Sequence, residues 1–240
     1  MKTVMFLILV LVVSLAVGSA VSEADTFGLF GAYLMPTGDF GDDSGSDAGL
    51  AKSGFGFGME YSTPLGSPGL ELMMSTSLFV NGFDEDAMED ELRDTFSGSG
   101  IDVDCVSVES YLNIPIMGGV RYLTPVSPVV DLFGVGLVGL NVLMVPEIEA
   151  DIMVWDEDEN KYKEAYLEQD HDPATSFGMG LGGGVIVNKR MSIGFRYYSL
   201  GKPEINGTMG IDVYGVRSEH SDVKFDQSVS VFLITAGLTF

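Results

Sequence analysis

The chain has 240 residues, 46% of them hydrophobic, with 31 glycines and a formal charge of -23 from 35 acidic against 12 basic residues. Such a length suits one all-β domain or two small ones, and so acidic a balance excludes nucleic acid, whose phosphates demand basic surface. The lone Cys105 closes no intramolecular disulfide, and with two histidines there is no ligand set for a Cys/His zinc site, so no cofactor is expected.

A positive mean hydropathy of +0.27 beside that charge requires apolar and acidic residues to be segregated along the chain. The N-terminus supplies the first segregated run: Lys2, apolar residues from Val4 to Val13, then small residues around Gly18 and Ala20. This pattern predicts a secretory signal peptide over 1–24, cleaved after residue 20 or 24. The run is shorter than the ~20 apolar residues of a spanning helix, and no later stretch reaches that length free of Gly or charge. Any membrane crossing over 25–240 must use strands.

Period-two alternation then recurs along the chain. Residues 27–36 form a first, less regular strand. Residues 54–62 set Phe55, Phe57, Met59 and Tyr61 against Gly56, Gly58, Glu60 and Ser62; residues 70–81 set Leu72, Met74, Leu78 and Val80 against Glu71, Ser75, Ser77 and Asn81. Residues 106–123 set Val108, Leu112, Ile116 and Val120 against Glu109, Asn113, Gly119 and Arg121, and 129–142 add a less regular strand. Residues 176–188 set Phe177, Met179, Leu181 and Val185 against glycines, 190–199 set Ile193 and Phe195 against Gly194 and Arg196, and 228–240 end the series at Phe240. The predicted fold is an all-β, eight-stranded antiparallel up-and-down barrel.

Short connections (63–69, 124–128, 188–189) alternate strictly with long ones (37–52, 83–105, 146–174, 202–227), so an up-and-down barrel carries all long connections at one end. Those four contain 29 of the 35 acidic residues, which answers the segregation question. Within 83–105, Met88, Leu92 and Phe96 recur at intervals of four, the spacing of a short amphipathic helix.

A soluble lipocalin-like barrel would need regular charges on its outer wall, yet the predicted strands hold only Glu60, Glu71, Glu109, Arg121, Asp131 and Arg196, with Lys189 and Arg190 at a turn. A transmembrane barrel reverses the faces, with apolar residues toward lipid and small or polar ones in a narrow lumen. On that reading Glu60, Glu71, Glu109, Arg121 and Arg196 form a lumen charge cluster, with Arg121 bridged to Glu60 or Glu71. Asp131 falls inside beside Arg121 or at the rim. Gly180→Ser in the lumen is expected to be mild.

The signal-like leader, FGLFGAYLMPTGDF at 27–40, NIPIMGGVRYL at 113–123 and the final SVFLITAGLTF together resemble the small outer-membrane β-barrel proteins of Gram-negative bacteria, the OmpA/OmpX-like group. The resemblance implies an N-terminus and short turns in the periplasm, long loops outside, and contact with outer-membrane lipid and lipopolysaccharide. It also implies a C-terminal aromatic, here Phe240, read by the barrel-assembly machinery. Leu238 stands where a further aromatic is frequent. No peptidoglycan-binding module is expected.

Three chemistries compete on this scaffold. The leading reading is non-enzymatic: a plugged barrel with a structural or surface-interaction role through acidic loops. A cation-preferring pore would use the lumen carboxylates. A lipid A-modifying enzyme would draw on His171 or on His220 with Ser221, but neighbouring residues on a strand point to opposite faces, which disfavours proton transfer. Asp156, Asp158 and Asn160 have the opening spacing of a calcium loop, but Lys161 replaces its Gly and Leu167 its final acid, so divalent cations are expected only loosely at the acidic loops.

Overall fold

Each alternating run becomes a strand, and the ring they form is closed. The computed structural model describes residues 25–44, 48–97, 101–156, 161–213 and 216–240; the expected leader, Asp158 and Asn160 lie outside them, as does the side chain of Asp156. The barrel consists of β1 (Thr26–Pro36), β2 (Ala51–Pro64), β3 (Leu70–Phe83), β5 (Tyr111–Ser127), β6 (Val130–Met144), β9 (Ala174–Val187), β10 (Met191–Ser199) and β13 (Ser230–Thr239), all antiparallel. Closure comes from β1 against β13, in register from Gly28 opposite Thr239 to Pro36 opposite Val231. At the end of that seam Phe27 and Phe240 exchange backbone hydrogen bonds of 3.2 and 2.7 Å.

The two parities separate cleanly. Phe55, Phe177 and Leu181 are more than 60% exposed, whereas Leu34, Asn141 and Leu233 on the opposite parity are fully buried. A continuous girdle of exposed Phe, Leu, Ile, Met and Val has no place in water, and hydrocarbon is the solvent that suits it.

The long connections differ from the expectation of solvated loops. They contain five further strands, β4 (Ile101–Val108), β7 (Ile148–Asp156), β8 (Lys161–His171), β11 (Glu204–Val213) and β12 (Val216–Asp226), paired in the order β4-β7-β8-β11-β12. Each is joined to a barrel strand, and the order repeats that of β5-β6-β9-β10-β13, so the sheet carries the barrel wall upward beyond the mouth. Its inner parity holds a second core of Val103, Val106, Ile148, Ala150, Ile152, Ala165 and Leu167.

The helix expected from the four-residue spacing is α1 (Glu85–Phe96), and it lays Met88, Leu92 and Phe96 on that core. Asp84 caps its N-terminus by accepting the Ala87 amide at 3.2 Å, and Glu89 pairs with Arg93 one turn on at 2.5 Å. The helix also blunts the sheet edge. The Arg93 guanidinium donates to the Val103 carbonyl at 3.2 and 3.3 Å, and the Glu85 carboxylate accepts the Val108 amide at 3.3 Å, so side chains stand in for a neighbouring strand.

Leu181→Arg places a cation in the exposed girdle and is expected to lower unfolding stability in lipid vesicles by about 2–4 kcal/mol. Leu181→Ile should be tolerated. Urea titration in vesicles checks both.

Candidate functional site: the lumen charges and the acidic wall

Arg121 and Glu71 are direct cross-strand partners of β5 and β3, which places both side chains on the inner face at the same level. The guanidinium donates to Glu71 Oε2 from Nε at 2.8 Å and from Nη2 at 2.6 Å, and Nη2 also donates to Ser62 Oγ at 2.7 Å. Arg196 reaches across the lumen from β10 to pair with Glu60 of β2, and its guanidinium stacks over Phe30, 5.0 Å from the ring centre. Of the two partners expected for Arg121, the structure selects Glu71. The Arg196–Glu60 pair joins strands that are not neighbours in the barrel, a contact that alternation does not encode.

Glu109 does not join the lumen cluster expected for it. The strand expected over 106–123 breaks at 109–110, so Glu109 stands exposed above the mouth, its amide 3.4 Å from the Glu147 carbonyl. Hydration is what a carboxylate so exposed requires. Asp131 pairs with Pro125 and Ile186 and lines an open vestibule of about 670 Å³ at the short-turn end, together with Arg121, Glu71 and Lys189. It belongs to the inner rim.

Between the charges and the mouth the lumen is occupied by side chains. Tyr198 and Phe79 are fully buried with rings 5.7 Å apart, and above them Asn141 donates to Asn113 at 2.9 Å. Phe40, from a single 3-10 turn at Gly38–Phe40, is fully buried at the mouth, 5.0 Å from the Tyr111 ring, whose hydroxyl donates to the Gly49 carbonyl at 2.8 Å. The lumen glycines make room for these rings: a Cβ at Gly180 would lie 2.8 Å from the Tyr198 ring, and one at Gly58 would lie 2.5 Å from Phe30. The expectation that Gly180→Ser is mild therefore fails, because the space opposite is filled by an aromatic ring and not by water.

The outer face of the raised wall carries Glu147, Glu149 and Asp151 beside Glu164, Glu168 and Asp170. Glu149 faces Glu168 directly across β7 and β8. Like charges so placed oppose pairing. The Asp170 charge, then partial burial and the charges of Glu109, Glu149 and Glu168, hold the Glu147 carboxyl above its ordinary pKa. Burial and a hydrogen bond to Glu149 push Tyr166 up to about 12.

His171 is half-buried at the end of β8. Its Nδ1 lies 2.9 Å from the Pro146 carbonyl and its Nε2 lies 2.8 Å from the Gln169 amide, so both nitrogens are engaged by neutral partners and the imidazole donates from Nδ1. Burial lowers its pKa. The side chain of His220 lies outside the described residues.

Charges paired inside and an apolar girdle outside invert the arrangement of a soluble barrel. The chain is a membrane-spanning β-barrel. No family model and no curated protein matches the membrane barrel's sequence. Solved structures similar to it include neisserial surface protein A (12% identity, TM-score 0.49, covering 90% of this chain and 96% of that one). They also include a major outer membrane protein from Thermus thermophilus (12%, 0.47, 91% and 100%) and Ail, the attachment invasion locus protein of Yersinia pestis (15%, 0.37, 90% and 96%). At these identities and scores the likeness carries no activity or partner across to the membrane barrel.

Arg121→Met leaves the half-buried Glu71 unpaired beside the vestibule, and is expected to cost about 1–3 kcal/mol, most of it recovered in Arg121→Met/Glu71→Leu. A double-mutant cycle by urea unfolding in vesicles measures this. On the wall, a Glu147 pKa raised on folding means that the folded chain holds the proton more tightly than the unfolded one. The raised wall therefore gains stability as pH falls through the raised value and gains no more below the unfolded carboxylate value. Glu147→Gln should slow amide exchange in β7 and β8 at pH 7 and shrink the protection gained on acidification.

Proposed function

We propose that this chain is a non-enzymatic outer-membrane protein with a closed lumen, whose work is structural or surface-interacting and is done by the acidic wall raised above the barrel. The observation that carries this reading is the division of charge: the described charges of the lumen stand in ion pairs, Arg121 with Glu71 and Arg196 with Glu60, while the outer face of the wall sets Glu149 opposite Glu168. An eight-stranded barrel is only wide enough for side chains to fill. A buried, neutralised interior supports a scaffold, and a predominantly acidic rigid surface supports recognition.

The leader expected at the N-terminus and the barrel architecture support the outer membrane as its address, with short turns in the periplasm and the wall outside. Glu109, Glu147 and Asp170 stand where the barrel strands pass into the wall, a position that supports contact with lipid headgroups. Divalent cations bridging these carboxylates to lipopolysaccharide phosphates suit that position. The exposure of Phe240 at the barrel seam, 72%, supports its reading by the barrel-assembly machinery. His171, with both nitrogens engaged, supports no hydrolase.

A cation-preferring pore is the second reading, favoured by Glu60 and Glu71 on the inner face. Planar-bilayer recording separates the two. The protein is expected to give no stable steps; salt-dependent steps abolished by Glu60→Gln would establish the pore. An epitope placed between β7 and β8 should be labelled on intact cells, and one between Asn188 and Lys189 should not.

A further inference from the structure

Below Tyr198 the lumen holds a small, largely enclosed cavity of about 20 Å³ lined by residues that include Glu60, Ser62, Arg121, Ser192, Arg196 and Thr235. Its volume holds one water molecule, which needs about 10–15 Å³ and two to four polar partners. Arg196 is 4% exposed, and its Nε donor has no hydrogen-bond partner. A buried guanidinium N–H left in that state is costly.

The lining carries two cations, Arg121 and Arg196, and each already has its own carboxylate, Glu71 and Glu60. The site is therefore balanced in charge and offers neither an anion nor a cation a net attraction. It does offer an unpaired donor in Arg196 Nε, a hydroxyl in Ser62 that already accepts from Arg121, and further hydroxyls in Ser192 and Thr235. The ligand these groups suit is neutral, one atom in size, and able both to donate and to accept.

We propose that the cavity is a binding site for one ordered water, which accepts from Arg196 Nε and donates into the Glu60 and hydroxyl side of the cavity. The water joins the Arg121–Glu71 and Arg196–Glu60 pairs into one neutral network across the lumen. The inference concerns the lumen interior and holds whether or not the wall binds a partner.

Gly28 supplies the test, because it lines the cavity, yet a Cβ there meets the Leu238 carbonyl oxygen at 3.5 Å and Glu60 Cβ at 3.9 Å, both ordinary contacts. A methyl at this position fits the protein and competes only with the cavity's occupant. Gly31, on the outer face of the same strand, has nothing within 4 Å of a Cβ and serves as the control. Gly→Ala at a compatible position stabilises by restricting the unfolded chain, so Gly31→Ala should raise the folding equilibrium constant about twofold or more.

Gly28→Ala should instead lower it at least fivefold, since expelling the water strands Arg196 Nε. Stabilisation by Gly28→Ala equal to that of Gly31→Ala would overturn the proposal and make the cavity a dry void. A second readout needs no variant: in nanodiscs the Arg196 Nε–H should show a nuclear Overhauser cross-peak to a long-lived water. Absence of that peak, or displacement of the occupant by bromide in anomalous diffraction, would equally overturn it.

Discussion

Every backbone N–H and C=O that crosses hydrocarbon must be hydrogen-bonded within the chain, and the pairing of β1 with β13 is what meets that requirement here. An open sheet of the same eight strands would leave two rows of polar groups in lipid. Closure at eight strands then dictates a narrow interior. In so narrow a lumen, each large side chain needs a bare neighbour, which is why Gly58 sits against Phe30 and Gly180 against Tyr198.

The same narrowness governs the charges. A carboxylate or guanidinium in that interior is tolerable only with a partner at hydrogen-bonding distance, and the two pairs use different geometries to find one. Arg121 and Glu71 are neighbours across a ladder, so register alone brings them together. Arg196 and Glu60 meet across the lumen, and their pairing ties together walls that share no ladder. The wall above the mouth obeys the opposite rule. Its outer face is hydrated, so Glu149 can stand opposite Glu168, and the cohesion comes from the inner core of Ile148, Ala150, Ile152, Ala165 and Leu167 under α1.

Much of this was legible in the sequence because strand alternation is local. The eight barrel strands, the lipid face through Leu181 and Phe195, the α1 spacing and four of the five lumen charges follow from period and residue type. Three features did not, each for a physical reason. The strands of the raised wall are interrupted by charge on one face and by short residues such as Ala150 and Ala165 on the other, so they read as acidic loops until the neighbouring strands are in place. Glu109 fell on the correct parity for the lumen, but parity says nothing of height, and a two-residue break lifts it clear of the barrel. The Arg196–Glu60 pair depends on which distant strands face each other. The inner parity carries four acids, Glu60, Glu71, Glu109 and Asp131, against two arginines, so charge count alone does not single out Glu109.

The central claim is that the apolar parity meets lipid while the wall stands in water. The single tryptophan, Trp155, sits near the far tip of β7 against Tyr162, and so reports on the wall without substitution. Fluorescence quenching in vesicles with bromines at the acyl-chain midpoint should leave Trp155 unquenched, while acrylamide quenches it. In Trp155→Phe/Leu181→Trp the pattern should reverse, with strong bromine quenching and little from acrylamide. Acrylamide quenching at position 181 with no effect of brominated lipid would contradict the account and return the barrel to water.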